Sequence, residues 1–498
     1  MHMTKKDIVL ISPPARLEVY QGLSGELAAI EPPVWAGLIG SFLRDKGLNV
    51  AIVDSEACGF SHKQAAEAVA SYDPKLVVFV VYGQQPSAST QCMPGAAKTC
   101  NFLKEVSDAP TMVMGTHSSA LPARTLQQEP YDYVCQGEGP YTVYELFKFI
   151  NGEIKISEVS GLWFMNKGLA ISNPIKDKIE DLDKELPRQA LDLLDMTKYR
   201  AHNWHCFDDL SSRNSYASLQ TSLGCPYKCS FCCINAPFGG AGIRYWSPEN
   251  VLNQIDELVN KYGVKNIKIP DEMFVLNKNH VIEICDGIID RGYKLNIWAY
   301  ARVDTVKDIY LEKLKKAGFN WLGIGIESGS KFVRNGVEKG RFDLPEIVST
   351  VDKIREHGIY VAANYIFGLP DDTQESMQET LDLALQLNTE WANFYSAMAY
   401  PGSPLFEHAS KNNIPTPDMK DGPGWIGYSQ HSYECMPLPT ETLAHTEVLD
   451  FRDKAFIEYF TNENYLKMIN NKFGSQVVEH LKEMTAHDLP RIHRTKKT

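Results

Sequence analysis

The chain has 498 residues, of which 44% are hydrophobic and 22% charged, an ordinary globular composition with room for two or three domains. Its formal net charge of −12 argues against a nucleic-acid partner, because phosphate groups would be repelled. No apolar run approaches the ~18 residues of a membrane span, and no secretory leader is expected. Eleven cysteines, most of them scattered, predict a protein of the reducing cytoplasm.

Residues 1–150 alternate short apolar runs with helical patterns. Strands are predicted at 7–12, 49–54, 76–81 and 111–115, with a short edge strand at 131–135, and helices at 33–46, 62–71, 96–106 and 141–150. This β-α-β-α order predicts a doubly wound parallel α/β sheet. Ligands of such sheets bind at the carboxyl ends of the strands, and those ends are here loops of small or polar residues.

Residues 151–215 are predicted to connect two domains rather than to form one. A hairpin is expected within 161–172, and a charged stretch follows at 176–185. The stretch 201–207 is unusual because it contains His202, Trp204 and His205 close together. These three side chains are candidates for ligand contact, although packing of the connector explains them equally well.

From residue 216 the alternation of strands and helices restarts. Six strands are predicted at 216–221, 265–270, 295–300, 321–326, 360–367 and 392–398, each but the last followed by a helix. This pattern predicts an open six-stranded (β/α)6 partial barrel over 216–430. An amphipathic helical region over 431–498 is expected beside the barrel or over its mouth. Chemistry in such barrels takes place at the carboxyl ends of the strands.

Three cysteines follow the first barrel strand. Cys225, Cys229 and Cys232 have the spacing C-x3-C-x2-C, with Phe231 just before the last thiol. Three thiolates on one loop can hold three irons of a [4Fe–4S] cluster and leave the fourth iron open. A three-thiol zinc site or three buried cysteines are the alternatives. A closed zinc site would need a fourth ligand, and the adjacent Cys233 is poorly placed to share one tetrahedral site with Cys232.

The stretch from 221 to 404 resembles the barrel of the radical S-adenosylmethionine (SAM) enzymes. Beside the cysteine loop, the resemblance is carried by Gly-Ile-Glu-Ser-Gly at 325–329, Phe-Gly-Leu-Pro at 367–370 and Tyr-Pro-Gly-Ser-Pro at 400–404. It implies that the three cysteines hold the cluster, whose open iron chelates the methionyl group of SAM. The SAM contacts implied at the strand ends and on the loop are Phe231, Glu272, Arg302, Glu327, Ser328, Asn364 and Tyr395. For each of these alone, a cap or an ion pair is the commoner role.

Residues 1–150 are similar to the cobalamin-binding, Rossmann-like domain that precedes the barrel in the B12-dependent radical SAM family. The similarity is carried by short loops at 13–14, 31–33, 115–117 and 137–139. The cobalamin contacts that it implies are Pro14, Tyr82, Gln84, Gly115, His117, Gly137 and Glu138. The motif Asp-x-His-x-x-Gly is absent, so the lower cobalt ligand is unassigned. A hydrogen-bonding role is the commoner one for His117.

The resemblance implies three cofactors: a [4Fe–4S] cluster, SAM and cobalamin. Reductive cleavage of SAM would give a 5′-deoxyadenosyl radical that abstracts hydrogen from an unactivated carbon, and cobalamin would offer a methyl group. The leading hypothesis is therefore C-methylation of a small molecule, with flavodoxin or ferredoxin as electron donor. No catalytic side chain is assigned, and His202, Trp204 and His205 are the candidate substrate contacts.

Three other functions remain open. A radical cyclase or oxidative rearrangement, as in the anaerobic magnesium-protoporphyrin ester cyclase group, would need the same cofactors. A methylthio-transferase is less favoured, because the cysteines at 58, 92, 100 and 135 are too dispersed for a second cluster. A non-enzymatic cobalamin or iron–sulfur sensor would need a signalling module, and the sequence predicts none.

Overall fold

The N-terminal domain is built on a seven-stranded sheet. The structure is a computed structural model and describes residues 5–83, 85, 87–176, 178–340 and 342–494. The strands of this sheet are β1 (Ile8–Ser12), β2 (Val50–Asp54), β3 (Leu76–Val80), β4 (Thr111–Met114), β5 (Tyr133–Cys135), β6 (Leu162–Asn166) and β7 (Leu169–Ser172). Their order is β2-β1-β3-β4-β5-β6-β7. The first five are parallel, as predicted, and β6 and β7 form an antiparallel hairpin.

Helices cover both faces of this sheet. They are α1 (Arg16–Tyr20), α2 (Val34–Asp45), α3 (Ser55–Cys58), α4 (His62–Ala70), α5 (Ala88–Val106), α6 (Thr116–Ala120), α7 (Pro122–Gln128) and α8 (Pro140–Ile150). Helix α5 begins eight residues before its predicted start and contains Pro94. The adjacent Gly95 lets the loop after β1 lie against this helix, since a Cβ there would overlap the carbonyl oxygen of Pro14.

The prediction of an edge strand at 131–135 is wrong. β5 pairs with β4 on one side and, in antiparallel register, with β6 on the other. The hairpin predicted within the connector therefore extends the N-terminal sheet. The rest of the connector has short turns and one small helix, α9 (Leu182–Glu185).

The barrel has six parallel strands in the order β8-β11-β12-β13-β14-β15, as predicted. The strands from residue 216 onward are β8 (Tyr216–Ser218), β9 (Ser222–Leu223), β10 (Arg244–Tyr245), β11 (Asn266–Ile269), β12 (Asn296–Arg302), β13 (Phe319–Glu327), β14 (Tyr360–Phe367) and β15 (Trp391–Ser396). The short pair β9 and β10 is antiparallel and separate from the barrel sheet.

The barrel strands alternate with helices that cover its outer face. These helices are α10 (Pro248–Tyr262), α11 (Lys278–Asp290), α12 (Asp308–Lys316), α13 (Lys331–Gly336), α14 (Leu344–Glu356), α15 (Gln374–Leu387) and α16 (Pro404–Lys411). Local sequence sets their ends. In α10, the Ser247 side chain caps the amide of Asn250 at 3.1 Å, and Gly263 ends the helix in the left-handed region.

Tryptophans fill the amino-terminal end of the barrel. Trp298 and Trp321 project from the adjacent strands β12 and β13, and Trp391 projects from β15. The connector residue Trp204 packs against all three at ring distances of 5.0, 5.2 and 6.2 Å. This apolar plug leaves the carboxyl ends of the strands as the accessible end.

Three helices complete the chain: α17 (His445–Phe460), α18 (Glu463–Phe473) and α19 (Ser475–Ala486). Helix α17 packs beside β15, and residues of α17 and of the segment after α19 reach the barrel mouth. No helix in the described ranges is long and apolar enough to cross a membrane.

Candidate functional site

A cavity of about 1490 Å³ lies where the two sheets face each other. Its wall on the N-terminal side includes residues at or after the carboxyl ends of β1, β2 and β3: Ser12, Pro13, Glu56, Val80, Val81 and Gly83. Its wall on the barrel side includes residues at or after the ends of the barrel strands: Glu272, Arg302, Glu327, Ile366 and Ser396. The strand ends of both domains therefore open into the same space.

The three predicted cluster ligands line this cavity. Cys225, Cys229 and Cys232 all lie in its wall, and all eleven cysteines of the chain are free thiols. Among the described residues, no group of three potential ligands converges closely enough to hold a single metal ion. Burial raises the pKa of Cys225 to about 11, so bound iron would be needed to keep the Cys225 sulfur as a thiolate. The donor set therefore fits an iron–sulfur cluster.

Backbone hydrogen bonds fix the shape of the cysteine loop. The amide of Gly242 donates to the Cys225 carbonyl at 3.0 Å, and the amide of Ser230 donates to the Val337 carbonyl at 3.1 Å. Gly224 has a φ of +88°, in a region that favours glycine. These constraints hold the thiols on the cavity wall before any cluster binds.

Glu272 is an unpaired acceptor beside the thiols. Its carboxyl lines the cavity and makes no hydrogen bond to any described residue. Burial raises the pKa of Glu272 to about 7, although Lys339 and Lys268 act in the opposite direction. An orphaned carboxyl next to the cluster loop fits a cationic ligand group such as the SAM ammonium.

Arg302 already has a carboxylate partner within the chain. Its guanidinium contacts both oxygens of Asp304 at 3.0 and 3.1 Å and lies 3.8 Å from the ring centre of Tyr227. A third contact, from Nη1 to the Cys229 sulfur at 3.5 Å, places positive charge on a cluster ligand. The structure therefore places Arg302 beside the thiols rather than free to receive a carboxylate.

The remaining predicted SAM residues differ in placement. Phe231, Asn364 and Tyr395 line the cavity. Glu327 does too, at a φ of +67°, and it pairs with the buried Lys339 at 2.5 Å. Ser328 is fully buried outside the cavity wall, where its hydroxyl bonds to Thr380 and to the amide of Ser330.

The described residues among the predicted cobalamin contacts are not part of the cavity wall. These residues are Pro14, Tyr82, Gly115, His117, Gly137 and Glu138. Gln84 lies outside the described residues. Tyr82 instead stacks on Trp35 at 4.3 Å, and Glu138 forms a buried ion pair with Arg244 of the barrel domain. Neighbouring residues at the same strand ends, such as Pro13 and Gly83, line the cavity in their place.

His117 is a buried, neutral histidine. Its Nδ1 lies 3.2 Å from the hydroxyl of Thr90, and its ring lies 4.5 Å from that of Trp425. Burial lowers the pKa of His117 to about 3. In this structure the ring is a hydrogen-bonding partner of Thr90, and the predicted cobalamin contact of His117 stays a prediction.

Two of the three predicted substrate contacts reach the cavity. His202 and Trp204 line it, and Nε2 of His202 lies 3.5 Å from Glu31. His205 is buried outside the wall, where its Nε2 donates to the carbonyl of Asn296 at 3.0 Å.

A buried ion pair that was not predicted from the sequence crosses the domain junction. Lys268, on β11, contacts both carboxylate oxygens of Glu31 at 3.1 and 2.9 Å. Burial would raise the pKa of Glu31, but Lys268 and His202 hold it at about 2. The signal in the sequence is a lysine between two isoleucines in a buried strand.

Two family models match the chain. The B12-binding domain matches residues 20–147, and the radical SAM superfamily matches residues 219–384. An uncharacterized methyltransferase of Pyrococcus horikoshii is 28% identical over 82% of this chain and 84% of its own length. The anaerobic magnesium-protoporphyrin IX monomethyl ester cyclase of Rubrivivax gelatinosus is 24% identical over 89% of this chain and 78% of its own.

The fold also matches a solved structure. The methyltransferase TsrM of Kitasatospora setae, with cobalamin and a [4Fe–4S] cluster bound, has a TM-score of 0.65 at 17% identity, over 86% of this chain and 81% of its own. Fold, thiols and family models together define an enzyme that joins a B12-binding domain to a radical SAM barrel. The chain therefore combines a B12-binding domain with a radical SAM domain, and the cofactors of these two domains are cobalamin, SAM and a [4Fe–4S] cluster.

Proposed function

We propose that this enzyme transfers a methyl group to an unactivated carbon of a small molecule. The observation that carries the proposal is the shared cavity, into which the strand ends of the B12-binding domain and the cysteine loop both open. A carbon held in this space is within reach of both cofactor sites. The methyltransferase among the relatives supports the same class of reaction.

The side chains of the cavity have distinct roles in this proposal. When bound, the reduced cluster supplies the electron that cleaves SAM, and cobalamin carries the methyl group. Cys225, Cys229 and Cys232 hold the cluster. Glu272 accepts hydrogen bonds from the SAM ammonium, and Arg302 stabilises the Cys229 thiolate. The enclosing walls keep water away from the reacting carbon.

A radical cyclase is the second candidate. The cyclase of Rubrivivax gelatinosus aligns over most of this chain, and its reaction would use the same cavity. The two functions differ in whether a methyl group reaches the product.

The deciding experiment uses SAM with a deuterium-labelled methyl group and measures whether the label reaches the product. The enzyme is reconstituted anaerobically with iron, sulfide and cobalamin, reduced with flavodoxin or ferredoxin as proposed cytoplasmic donors, and incubated with candidate substrates. Methyl transfer predicts a product that is heavier by one labelled methyl group. A substrate that is consumed, with 5′-deoxyadenosine formed and no label in the product, would instead support a radical cyclase or an oxidative rearrangement.

A further inference from the structure

The C-terminal region contributes a wall of charged residues to the cavity. Arg452, on α17, lines the cavity and is only 5% exposed. His431 and Arg494 line the cavity as well. These residues lie beyond position 384, where the radical SAM match ends, so they belong to neither of the matched domains.

Arg452 is held rigidly, and two of its N–H groups have no hydrogen-bond partner among the described residues. Its Nε donates to the carbonyl of Phe394 at 2.8 Å, Nη1 to Asp453 at 2.9 Å, and Nη2 lies 3.4 Å from Nε2 of His431. A guanidinium has five N–H groups, so these three contacts leave one on Nη1 and one on Nη2. The side chain is therefore a fixed fork with capacity for a planar anion.

Positive charge exceeds negative charge around Asp453, although the C-terminal residues that line the cavity include four carboxylates and three cationic side chains. Asp453 is contacted by Arg452, by Arg491 through two nitrogens at 3.2 Å, and by Arg494 at 3.6 Å. The side chain of Arg491 is fully buried, so two buried guanidiniums share one carboxylate. Burial of such an excess is costly unless an anion offsets it.

The other charged groups of this wall lie nearer the solvent. Arg494 also pairs with the exposed Asp488 at 3.2 Å. Asp450, which is half-buried, has an interaction of its own, and Lys454 and Glu458 lie four residues apart on the same helix with opposite charges. These groups leave the buried excess around Asp453 unchanged.

His431 adds a neutral donor to the wall. Because Nε2 of His431 accepts from Arg452, the hydrogen-bond network assigns its proton to Nδ1. Burial, together with Arg452 and Arg491, holds the pKa of His431 well below its usual value. The ring is itself fixed by Tyr20, whose centre lies 5.5 Å away.

We propose that Arg452, His431 and Arg494 form a subsite for an anionic group of the substrate, a carboxylate or a phosphate. The substrate would bind with this group under the C-terminal helices and its reacting carbon toward the cysteine loop. The assignment of the anionic group to the substrate rests on the proposed function. Binding of an anion to the subsite can be measured without turnover.

Equilibrium dialysis with radiolabelled inorganic phosphate tests the subsite. The enzyme is reconstituted with its cluster and loaded with cobalamin and SAM, without reductant. Saturable binding to one site is expected, weakened at least tenfold in Arg452→Gln and in Arg494→Gln. The exposed Lys467→Gln, on α18, removes one positive charge elsewhere and should bind phosphate as the wild type does. Arg494→Gln leaves the contacts of Arg452 with Phe394 and His431 intact, so its result stands even if Arg452→Gln misfolds.

Two outcomes would overturn the proposal outright: no saturable binding in the wild type, or equal affinity in the wild type and Arg494→Gln. Phosphate binding is also compared between enzyme samples with and without added cobalamin and with and without added SAM, which tests the source of the anion. Phosphate binding that disappears when cobalamin is added would assign the subsite to the phosphate of cobalamin. Binding that disappears with SAM would assign it to the SAM carboxylate. Either loss contradicts a substrate subsite, whatever the labelled-methyl experiment shows.

Discussion

At the scale of single residues, the partner of each buried carboxyl group sets its charge. Glu31 faces an ammonium group and stays ionised, with a pKa of about 2. Asp54 faces the hydroxyl of Tyr199 at 2.8 Å, and burial raises its pKa to about 6. Glu272 faces the cavity, where burial raises its pKa to about 7, and a bound cationic group would favour its ionised form.

Asp54 provides a test by pH. Because burial raises its folded pKa from 3.8 to about 6, the stability that it contributes is present below pH 3.8 and is lost as the pH rises through 6. The loss is about 3 kcal/mol at most, at 1.36 kcal/mol per pKa unit. Asp54→Asn should therefore be more stable than the wild type at pH 8, with a difference that shrinks toward pH 4. Urea unfolding across this range measures the effect.

Tyr199→Phe is the matched control for that experiment. It removes a hydroxyl that favours the ionised carboxyl, so its stability should fall more steeply with pH than that of the wild type. A difference between Asp54→Asn and the wild type that is the same at pH 4 and pH 8 would show that Asp54 does not titrate in this range.

At the scale of elements, Gly115 shapes the turn between β4 and α6. It has a φ of +154°, and a Cβ there would overlap the carbonyl oxygen of Val81. This close approach brings the ends of β3 and β4 together beside the cavity. Gly115 therefore has a structural role that its predicted cobalamin contact does not require.

Gly115→Ala is expected to destabilise the protein by about 3 kcal/mol or more, because backbone must move to admit the new methyl group. Gly22→Ala is the matched control, since a Cβ at that glycine meets nothing within 4 Å. It should change the free energy of unfolding by about 0.5 kcal/mol or less. Chemical denaturation of both variants measures the difference. Equal effects of the two substitutions would contradict the steric argument.

Elements with strong local patterns were predicted well from the sequence. Apolar runs such as 76–81 and 360–367 correspond closely to strands β3 and β14. The pairing of β5 with the hairpin was missed, because it joins segments about 30 residues apart through backbone contacts that no local pattern encodes. The early start of α5 was missed because Pro94 and Gly95 read locally as helix breakers.

At the scale of the whole molecule, buried ion pairs join the two cofactor domains. Glu31 pairs with Lys268, and Glu138 pairs with Arg244. Both carboxylates come from the N-terminal part and both cations from the barrel part. These pairs fix the face-to-face arrangement that creates the cavity.

Lys268→Met should destabilise the protein by about 3–5 kcal/mol, because it leaves the buried Glu31 carboxylate without its main counter-ion. The double variant Glu31→Gln/Lys268→Met removes both charges and should be less destabilised than Lys268→Met alone. Urea unfolding of Glu31→Gln, Lys268→Met and the double variant gives a double-mutant cycle for the ion pair. Strictly additive effects would mean that the pair contributes nothing to the domain junction.

The site was predictable where chemistry depends on spacing along the chain. The three thiols, Phe231 and Glu272 lie on the cavity as the sequence indicates. The cobalamin contacts stay predictions, because turn geometry decides which loop residues face the cavity: Tyr82 packs on Trp35, while Gly83 lines the cavity. The proposed subsite of Arg452, His431 and Arg494 was not predicted from the sequence, because it depends on the tertiary packing of α17.

The central claim is that Cys225, Cys229 and Cys232 alone hold a cluster that cleaves SAM. The most direct measurement is the rate of 5′-deoxyadenosine formation under dithionite, with bound iron determined in parallel, for each cysteine changed singly to alanine. Each of the three variants should lose about four irons and essentially all deoxyadenosine formation. Cys233→Ala, which changes a neighbouring thiol of the same cavity, should retain both. A native rate in any of the three variants would contradict the account.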